Sequence, residues 1–233
     1  MSTQTVEPKK EVQCKVRKPS ENDFYWSDER EPHFQRRQDI LESHPEVKSL
    51  FGIDPTLKYT TVILVAIQLT VGYFMKDVSW IPFLLISYFV GATIIHALFL
   101  AVHEITHDLA FTAKWKNNVL SFVANLPMVA PYSMSFKTYH AMHHWEQGKD
   151  GVDTDIPTEV EAKIFRGFLG KVIWFLHQIL FYALRPMMVK RIKVDKWMIR
   201  NISFQVVGMA LYYYIAGPVG FLYLLMSMLL AGG

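Results

Sequence analysis

Long apolar runs are confined to the part of the chain after residue 56, and the residues before them are mostly polar or charged. Residues 59–75 and 78–102 contain no Asp, Glu, Lys or Arg. A helix that spans a bilayer needs about 20 apolar residues, so each run predicts a spanning helix. Only Lys76 and Asp77 separate the runs, which predicts a tight helical hairpin. Because a hairpin returns the chain to its starting side, the N-terminal part and the chain from His103 onward are predicted to share one face of the membrane.

Two further apolar segments are interrupted. Residues 117–134 contain two prolines and are predicted to form a partly embedded, broken segment. Residues 168–184 lead into a basic stretch, 185–200, with six Lys or Arg, and the region 103–167 before them also carries six. Positive charge marks cytosolic loops. With both flanks in the cytosol, 168–184 is predicted to lie along the interface.

Residues 201–216 and 217–231 are predicted to form a second hairpin that turns at "AGP", residues 216–218. The pattern as a whole predicts an all-α integral membrane protein with two transmembrane helical hairpins, interfacial helices and a cytosolic histidine-rich metal region. The last apolar run has about 13 to 15 residues, at the short limit for a span. No polar residues follow it, so the sequence suggests a chain that stops inside a helix.

The N-terminal part is predicted to be a flexible tail at residues 1–20 followed by a helix at 33–51 that breaks near Pro45. The tail is rich in Lys, Glu, Gln, Thr and Ser and offers little to bury. The apolar residues of the broken helix suit a small cap packed on the rest of the chain, or a helix on the membrane surface.

Composition narrows the possible functions. Hydrophobic residues make up 51% of the chain, slightly above the usual share for a soluble domain. The net charge of +3 is small and forms no basic face with interleaved aromatics, which argues against a nucleic-acid partner. Cys14 is the only cysteine, so the chain has no disulfide framework.

Five of the nine histidines fall in two tight clusters. His103 and His107 have i, i+4 spacing, and His140, His143 and His144 have i, i+3, i+4 spacing, so each cluster predicts one helical face lined with imidazoles. Imidazole is a good ligand for iron, zinc and copper. Both clusters are predicted on the same membrane face, which favours a shared metal site over five unconnected surface histidines.

Other ionisable residues could support this site. Asp150, Asp153 and Asp155, in "KDGVDTDIP", could hydrogen-bond the nearby imidazoles or form a solvated turn. His96 lies two turns before His103 on roughly the same helix face. An ionisable group inside a membrane helix suggests a functional role, although a buried structural histidine is equally compatible with the pattern.

The segment "HEITH" also fits the zinc metallopeptidase signature H-E-x-x-H, with Glu104 as the general base. The extended signature requires a glycine and a histidine after His107, where this chain has Ala110 and Ala113. A peptidase would therefore have to take its third ligand from the second histidine cluster.

Four segments carry a resemblance to a known family: "DFYWSDEREPHFQRRQDILESHPEVKSLFGIDP", "HEITHDLAF", "ANLPMVAPYSMSFKTYHAMHH" and "DGVDTDIPTE". In this order they resemble the sphingolipid delta-4 desaturase (dihydroceramide desaturase) family, and the resemblance covers residues 22–233. The first and last segments are more specific than the histidines, since histidine boxes recur in many membrane desaturases and hydroxylases. The resemblance implies a family leader at residues 21–56 and a membrane desaturase domain at 57–233, incomplete at its C-terminus.

In such enzymes three histidine boxes hold two non-haem iron ions, which activate O2 with electrons from NADH delivered by cytochrome b5 and its reductase. The resemblance implies that His103 and His107 form the first box, and that His140, His143 and His144 form the second. It implies removal of hydrogens from carbons 4 and 5 of a dihydroceramide to give ceramide. It also implies a multi-pass protein of the endoplasmic reticulum membrane, with the N-terminus and the histidine boxes in the cytosol, in contact with membrane lipid.

The third histidine box of the family is absent from these 233 residues. Five imidazoles could complete one metal site but not two irons, so we expect a fragment and no desaturation by this chain alone. Some relatives hydroxylate carbon 4, which keeps a C4-hydroxylase or a bifunctional enzyme open. A membrane zinc peptidase and an inactive lipid-binding membrane protein are the remaining alternatives.

Overall fold

The computed structural model describes residues 32–232, and within that range all regular structure is helical. The α-helices are α1 (Pro32–Ser43), α2 (Leu57–Phe74), α3 (Trp80–Ile86), α4 (Thr93–Thr106), α5 (Lys114–Asn125), α6 (Ser133–Trp145), α7 (Glu159–Ile164), α8 (Gly167–Leu176), α9 (Gln178–Val189) and α10 (Lys196–Ala231). Three 3-10 helices (Pro45–Leu50, Met75–Asp77 and Leu126–Met128) and one π-helical turn (Ser87–Ala92) complete the regular structure. The tail predicted at 1–20 and Cys14 lie outside the described residues.

The chain divides into two compact units, residues 1–46 and 47–233. The described part of the first unit is mainly α1, which ends at Ser43. The backbone N–H of His44 still donates to the Ile40 carbonyl, and Pro45 then starts the 3-10 helix because proline cannot continue an α-helix. The predicted break near Pro45 is confirmed.

The first predicted hairpin is confirmed in the second unit. Leu57–Asp77 and Trp80–Thr106 are 21 and 27 residues long, and both are apolar enough to span a membrane. The second stretch is built from α3, the π-helical turn and α4. Val65 of the first stretch packs in one core cluster with Ile95 and Leu98 of the second. These contacts hold the two spanning helices side by side.

The second predicted hairpin is also confirmed, within the 36-residue stretch α10. Gly217 interrupts it with φ 71°, in the left-handed region that glycine tolerates. The rings of Tyr213 and Phe221 lie 6.0 Å apart. In a straight helix these positions would be separated by about 12 Å of rise, so the chain reverses at Gly217.

Both arms of this second hairpin pack on α2. The Tyr212 hydroxyl, on the first arm, donates to the Leu69 carbonyl at 3.1 Å. The Tyr223 hydroxyl, on the second arm, donates to the Gln68 side chain at 3.2 Å. Hydrogen bonds between apolar helices satisfy polar atoms that membrane lipid cannot. The two hairpins thus form one helical bundle in this unit.

Two further helix pairs are sharply bent. Lys114–Met128 and α6 meet at 113°, and α8 and α9 meet at 80°. The first bend confirms the predicted break in 117–134, and at this bend Val129 takes φ 63°. Three long helical stretches, of which one is the hairpin α10, are long and apolar enough to cross a membrane, and counting each bent pair as a further stretch gives five. The described residues therefore have the composition of a multi-pass membrane protein; the interfacial position of 168–184 stays a prediction.

Candidate metal centre

The first histidine cluster lies where α4 ends. His103 is in the last turn of α4, and His107 is the residue directly after it. The helix stops there because Asp108 takes φ 61°, a left-handed conformation that Asp tolerates better than most residues. The helix end thus presents both imidazoles next to the break.

The second cluster lies on α6, and Lys137 ties this helix to the end of α4. The Lys137 ammonium donates to Asp108 Oδ1 at 3.0 Å and to Asn118 Oδ1 at 3.1 Å. Lys137 precedes His140 by one turn, and the ring of Phe136 stacks on the His140 ring with centroids 4.9 Å apart. The two histidine helices are therefore held together by contacts just beside the imidazoles.

The four-histidine cluster consists of His103, His107, His140 and His144. One ring nitrogen from each of them lies within 4.8 Å of the corresponding atom in every other. Nε2 of His140 is 3.0 Å from Nε2 of His107 and 3.0 Å from Nε2 of His144. The rings of His103 and His140 have centroids 4.2 Å apart. Sequence positions 33 to 41 residues apart thus converge on one point.

This arrangement fits a transition metal. Metal–nitrogen bonds of about 2.0–2.1 Å place two nitrogens on one ion no more than about 4.2 Å apart, close to the spacing found here. A neutral imidazole carries one N–H and one lone pair, so three Nε2 atoms meeting at His140 cannot all be satisfied by each other. A cation at their centre would accept all the lone pairs. Iron, zinc, copper and nickel suit such ligands.

Electrostatics keeps three of these imidazoles in the form that binds metal. His140 is 8% exposed, and its burial together with the neighbouring His103, His144 and His107 lowers its pKa to about 3. Burial, followed by nearby imidazoles, also lowers the pKa of His107 and of His144. The three rings lie outside the three long spanning stretches, and near neutral pH they are uncharged with lone pairs available.

His143 is placed differently from the other four histidines. Its Nδ1 lies 2.9 Å from Asp153 Oδ1 and 3.5 Å from Asp155 Oδ2, and these three residues form a second group with the spacing of metal ligands. Because a carboxylate only accepts hydrogen bonds, Nδ1 of His143 carries a hydrogen. Its ring centroid is 5.6 Å from that of His144. His143 therefore lies beside the cluster with an oriented ring.

Asp153 is itself fixed by its surroundings. It is 1% exposed, and it accepts hydrogen bonds from the backbone N–H groups of Gly148 at 2.7 Å and Asp155 at 2.9 Å. A carboxylate that orients a histidine in this way is the usual partner of a metal-binding imidazole. Asp155 is less tightly held, and burial raises the pKa of its side chain. Both carboxylates lie within 3.5 Å of His143 Nδ1, and their supporting role stays a prediction.

Three other predicted residues are not brought to the cluster. His96, Glu104 and Asp150 are all exposed, and none belongs to a group with metal-ligand spacing within residues 32–232. Glu104 follows His103 directly, so it projects from a different face of α4.

Sequence reasoning missed Lys137, Glu161 and Arg185. Arg185 is the first residue of the basic stretch 185–200, but it is 2% exposed and paired with Glu161. The signal for Glu161 was available in the sequence, because Thr158 and Glu161 form the T-x-x-E pattern of a capping box, which the structure contains at the start of α7. The pairing of Glu161 with Arg185, 24 residues away, has no local signal.

The site and the fold together define a multi-pass membrane protein with a histidine metal site, and comparison with known proteins agrees. The family model for sphingolipid Delta4-desaturase matches residues 20–56, and that for fatty acid desaturase matches 79–232. The chain belongs to the fatty acid desaturase family, in its sphingolipid delta(4)-desaturase branch.

Several curated relatives carry the branch name. Sphingolipid delta(4)-desaturase DES1 of Drosophila melanogaster is 41% identical over 218 residues, which cover 93% of this chain and 68% of the relative. A DES1-like protein of Oryza sativa is 41% identical, over 91% of this chain and 64% of the relative. A Caenorhabditis elegans protein, whose name joins sphingolipid delta(4)-desaturase with C4-monooxygenase, is 39% identical over 92% of this chain and 60% of its own length. The chain thus spans about 60 to 68% of these relatives. No solved structure gives a significant match.

Proposed function

We propose that this chain belongs to an enzyme that desaturates the sphingoid base of a dihydroceramide between carbons 4 and 5, giving ceramide. The carrying observation is the convergence of His103, His107, His140 and His144 at the end of a spanning helix, in a chain of this family. The reaction balances with one O2: two electrons come from the substrate and two from NADH, and together with protons they yield two molecules of water.

The metal proposed for the site is non-haem iron, in two ions for the whole enzyme. Iron, when bound, supplies the activation of O2 that an apolar C–H bond requires. The chain's own part is to hold five imidazoles in place: the four-histidine cluster and His143, whose Nδ1 is directed to Asp153. Because burial and the neighbouring rings lower the pKa of His107, His140 and His144, these three imidazoles need no proton loss before metal binds near neutral pH.

We further propose an endoplasmic reticulum location, with the N-terminus and the histidines in the cytosol, and electron delivery by cytochrome b5 and its reductase. The support is the charge of the loops: residues 103–167 and 185–200 each carry six Lys or Arg. Short cytosolic loops are enriched in these residues. The leader at 21–56 and the interfacial segment at 168–184 are proposed to dock the lipid so that its chain enters between the spans.

A second candidate activity is hydroxylation of carbon 4. It is favoured by the name of the C. elegans relative, which includes C4-monooxygenase. The two activities share the site and differ in the fate of the substrate after the first hydrogen is removed. The zinc peptidase alternative is not favoured by any of these relatives, and Glu104 is exposed on α4.

The test is expression in cells that lack their own delta(4)-desaturase and receive labelled dihydroceramide. Two forms are compared: the 233-residue chain alone, and the chain joined to the part of the Drosophila relative that the match does not cover. We expect labelled ceramide from the joined form, and 4-hydroxylated product if the second activity is present. A joined form that inserts in the membrane and gives neither product would overturn the proposal.

The matched control is a second histidine of the same chain. His140→Ala in the joined form is expected to abolish both products, since His140 is the buried centre of the cluster. His177→Ala is expected to leave them unchanged, because His177 is exposed at the end of α8 and its Nδ1 bonds only the Ile173 carbonyl. Equal activity of both variants would show that the cluster is not the catalytic site.

A further inference from the structure

A buried ion pair joins α7 to α9. Arg185 donates from Nε to Glu161 Oε1 at 2.9 Å and from Nη2 to Glu161 Oε2 at 2.6 Å, and Arg185 is 2% exposed. Trp174, on α8, donates its indole N–H to Glu161 Oε2 at 3.1 Å. Burial alone would raise the pKa of Glu161, but the hydrogen bonds and the charge of Arg185 outweigh it and lower that pKa to about 2. The pair is therefore fully charged near neutral pH.

Stability alone does not account for such a pair. Removing two charges from water costs several kcal/mol per ion, and buried pairs can often be replaced by apolar residues without loss of stability. What arginine adds is geometry, because its planar fork can hold a carboxylate with two N–H groups and still direct others elsewhere. The question is then what the remaining N–H groups of Arg185 hold.

The remaining donor of Arg185 reaches the loop before α7. Its Nη1 donates to the backbone carbonyls of Asp155 at 3.2 Å and Thr154 at 3.4 Å. The N–H of Asp155 in turn donates to Asp153 Oδ1 at 2.9 Å. The same carboxylate oxygen accepts from His143 Nδ1 at 2.9 Å. One continuous series of hydrogen bonds thus runs from Arg185 to an imidazole beside the four-histidine cluster.

We propose that Arg185 and Glu161 are positioning residues for the histidine site, holding the backbone at Thr154 and Asp155 so that Asp153 orients His143. Neither residue touches the cluster; each acts through the loop. This inference rests on the proposed function, because it assigns the pair to a metal site. It also gives the buried charges of Arg185 and Glu161 a role other than stability.

The test separates positioning from stability by replacing the pair with apolar residues. The variants are Glu161→Leu/Arg185→Met and, where that double variant fails to fold, Arg185→Lys, which keeps the charge but cannot hold the carboxylate and both carbonyls at once. The first measurement is hydrogen exchange at the amides of Gly148 and Asp155, the two backbone donors to Asp153. The second is titration of the purified chain with cobalt(II), followed by its visible absorption.

We expect faster exchange at both amides, a changed cobalt spectrum and cobalt affinity about 10-fold weaker, the lower end for partners of metal-binding histidines. The thermal unfolding midpoint of the double variant should remain near that of the unmodified chain. The matched control is the exposed pair on the same helix, Glu159 with Lys163, replaced as Glu159→Leu/Lys163→Met. We expect no change in exchange at Gly148 or Asp155, nor in cobalt binding.

Unchanged amide exchange and unchanged cobalt binding in a folded Arg185 variant would overturn the positioning role. An unmodified chain that binds no cobalt would overturn the proposed metal site instead. In that case the amide exchange alone would show whether Arg185 holds the loop at Thr154 and Asp155. A failure of the metal site can therefore be distinguished from a failure of the positioning role.

Discussion

The four-histidine cluster and the Arg185–Glu161 pair are both polar groups in a largely apolar unit, but their atoms are satisfied in opposite ways. Arg185 directs Nε, Nη1 and Nη2 to protein acceptors, and both oxygens of Glu161 are used. In the cluster, Nε2 of His140 meets two other Nε2 atoms at 3.0 Å each, and its single hydrogen or lone pair cannot satisfy both. The pair is complete as it stands, whereas the cluster requires a cation.

This difference teaches how to separate structural from functional polar groups. Buried polar atoms in folded proteins are almost all paired, so a group that pairs fully gives no indication of a ligand. A group of like atoms that converge without enough hydrogens marks a place where something else binds. Substitutions in and around the two groups test this difference.

The largest effect is expected from removing the centre of the cluster. His140→Ala takes away the nitrogen that both His107 and His144 face, so cobalt(II) binding by the purified chain should be lost. Helical content should remain, because an alanine is accommodated in α6. Circular dichroism would measure the helical content, and the visible absorption of cobalt would measure the binding. A His140→Ala chain that binds cobalt as before would remove the distinction between the two groups.

A smaller effect is expected from replacing Asp153, whose carboxylate connects the Arg185–Glu161 pair to the histidine site. Asp153→Asn keeps the size of the side chain but weakens its hold on His143 Nδ1, and metal affinity should fall about 10- to 100-fold. The same cobalt titration measures it. Asp150→Asn is the control, because Asp150 is exposed in the same loop. Equal affinities for the two variants would contradict the assigned role of Asp153.

The charge of the Arg185–Glu161 pair should also appear in the pH dependence of the free energy of unfolding. The unfolded carboxyl of Glu161 takes up a proton near pH 4.5, the folded one only near pH 2, so the unfolded state binds more protons between these values. Stability from this group is therefore present above pH 4.5 and lost as the pH falls towards 2, by about 3 kcal/mol at most. The measurement is unfolding in detergent micelles at several pH values. The unmodified chain should show this loss of stability at low pH, and the Glu161→Gln variant should not. Parallel pH profiles would show that the pair is not charged.

The smallest effect is expected at Glu104. Glu104→Gln changes an exposed side chain outside both groups, so cobalt affinity and product formation by the joined form should stay within about twofold. A peptidase with this residue as general base would lose its activity instead. Loss of ceramide formation in this variant, with cobalt binding intact, would bring Glu104 into the site and weaken the contrast.

The fold was largely predictable because its elements are encoded locally. The apolar runs at 59–75 and 78–102 predicted the spanning helices, and the structure extends them to Leu57–Asp77 and Trp80–Thr106. Gly217 and Pro218 marked the second reversal, since few other residues allow it. The π-helical turn has no such local signal in the sequence, and it packs closely on the second hairpin: a Cβ at Gly91 would lie 2.0 Å from the Ser227 hydroxyl.

Only those parts of the site that follow from the spacing of residues on one helix could be predicted. Spacing placed His103 with His107, and His140 with His144, on shared faces, and the structure brings these four together. The same spacing put His143 on that face as well, but Asp153 draws its ring to a separate group. The contacts of Lys137 and Arg185 join residues 19 to 31 positions apart, and such contacts depend on the tertiary fold.

The π-helical turn at Ser87–Ala92 gives the second span a place where its length can change. A π turn closes over one residue more than an α turn, so one residue can be lost there by conversion to ordinary helix. Such a deletion would leave His103 in phase with α6. A deletion between Thr93 and His103 would instead rotate the imidazole by about 100°, away from the His140 ring that it now meets at 4.2 Å. Tolerance to insertion and deletion should therefore change sharply at residue 93.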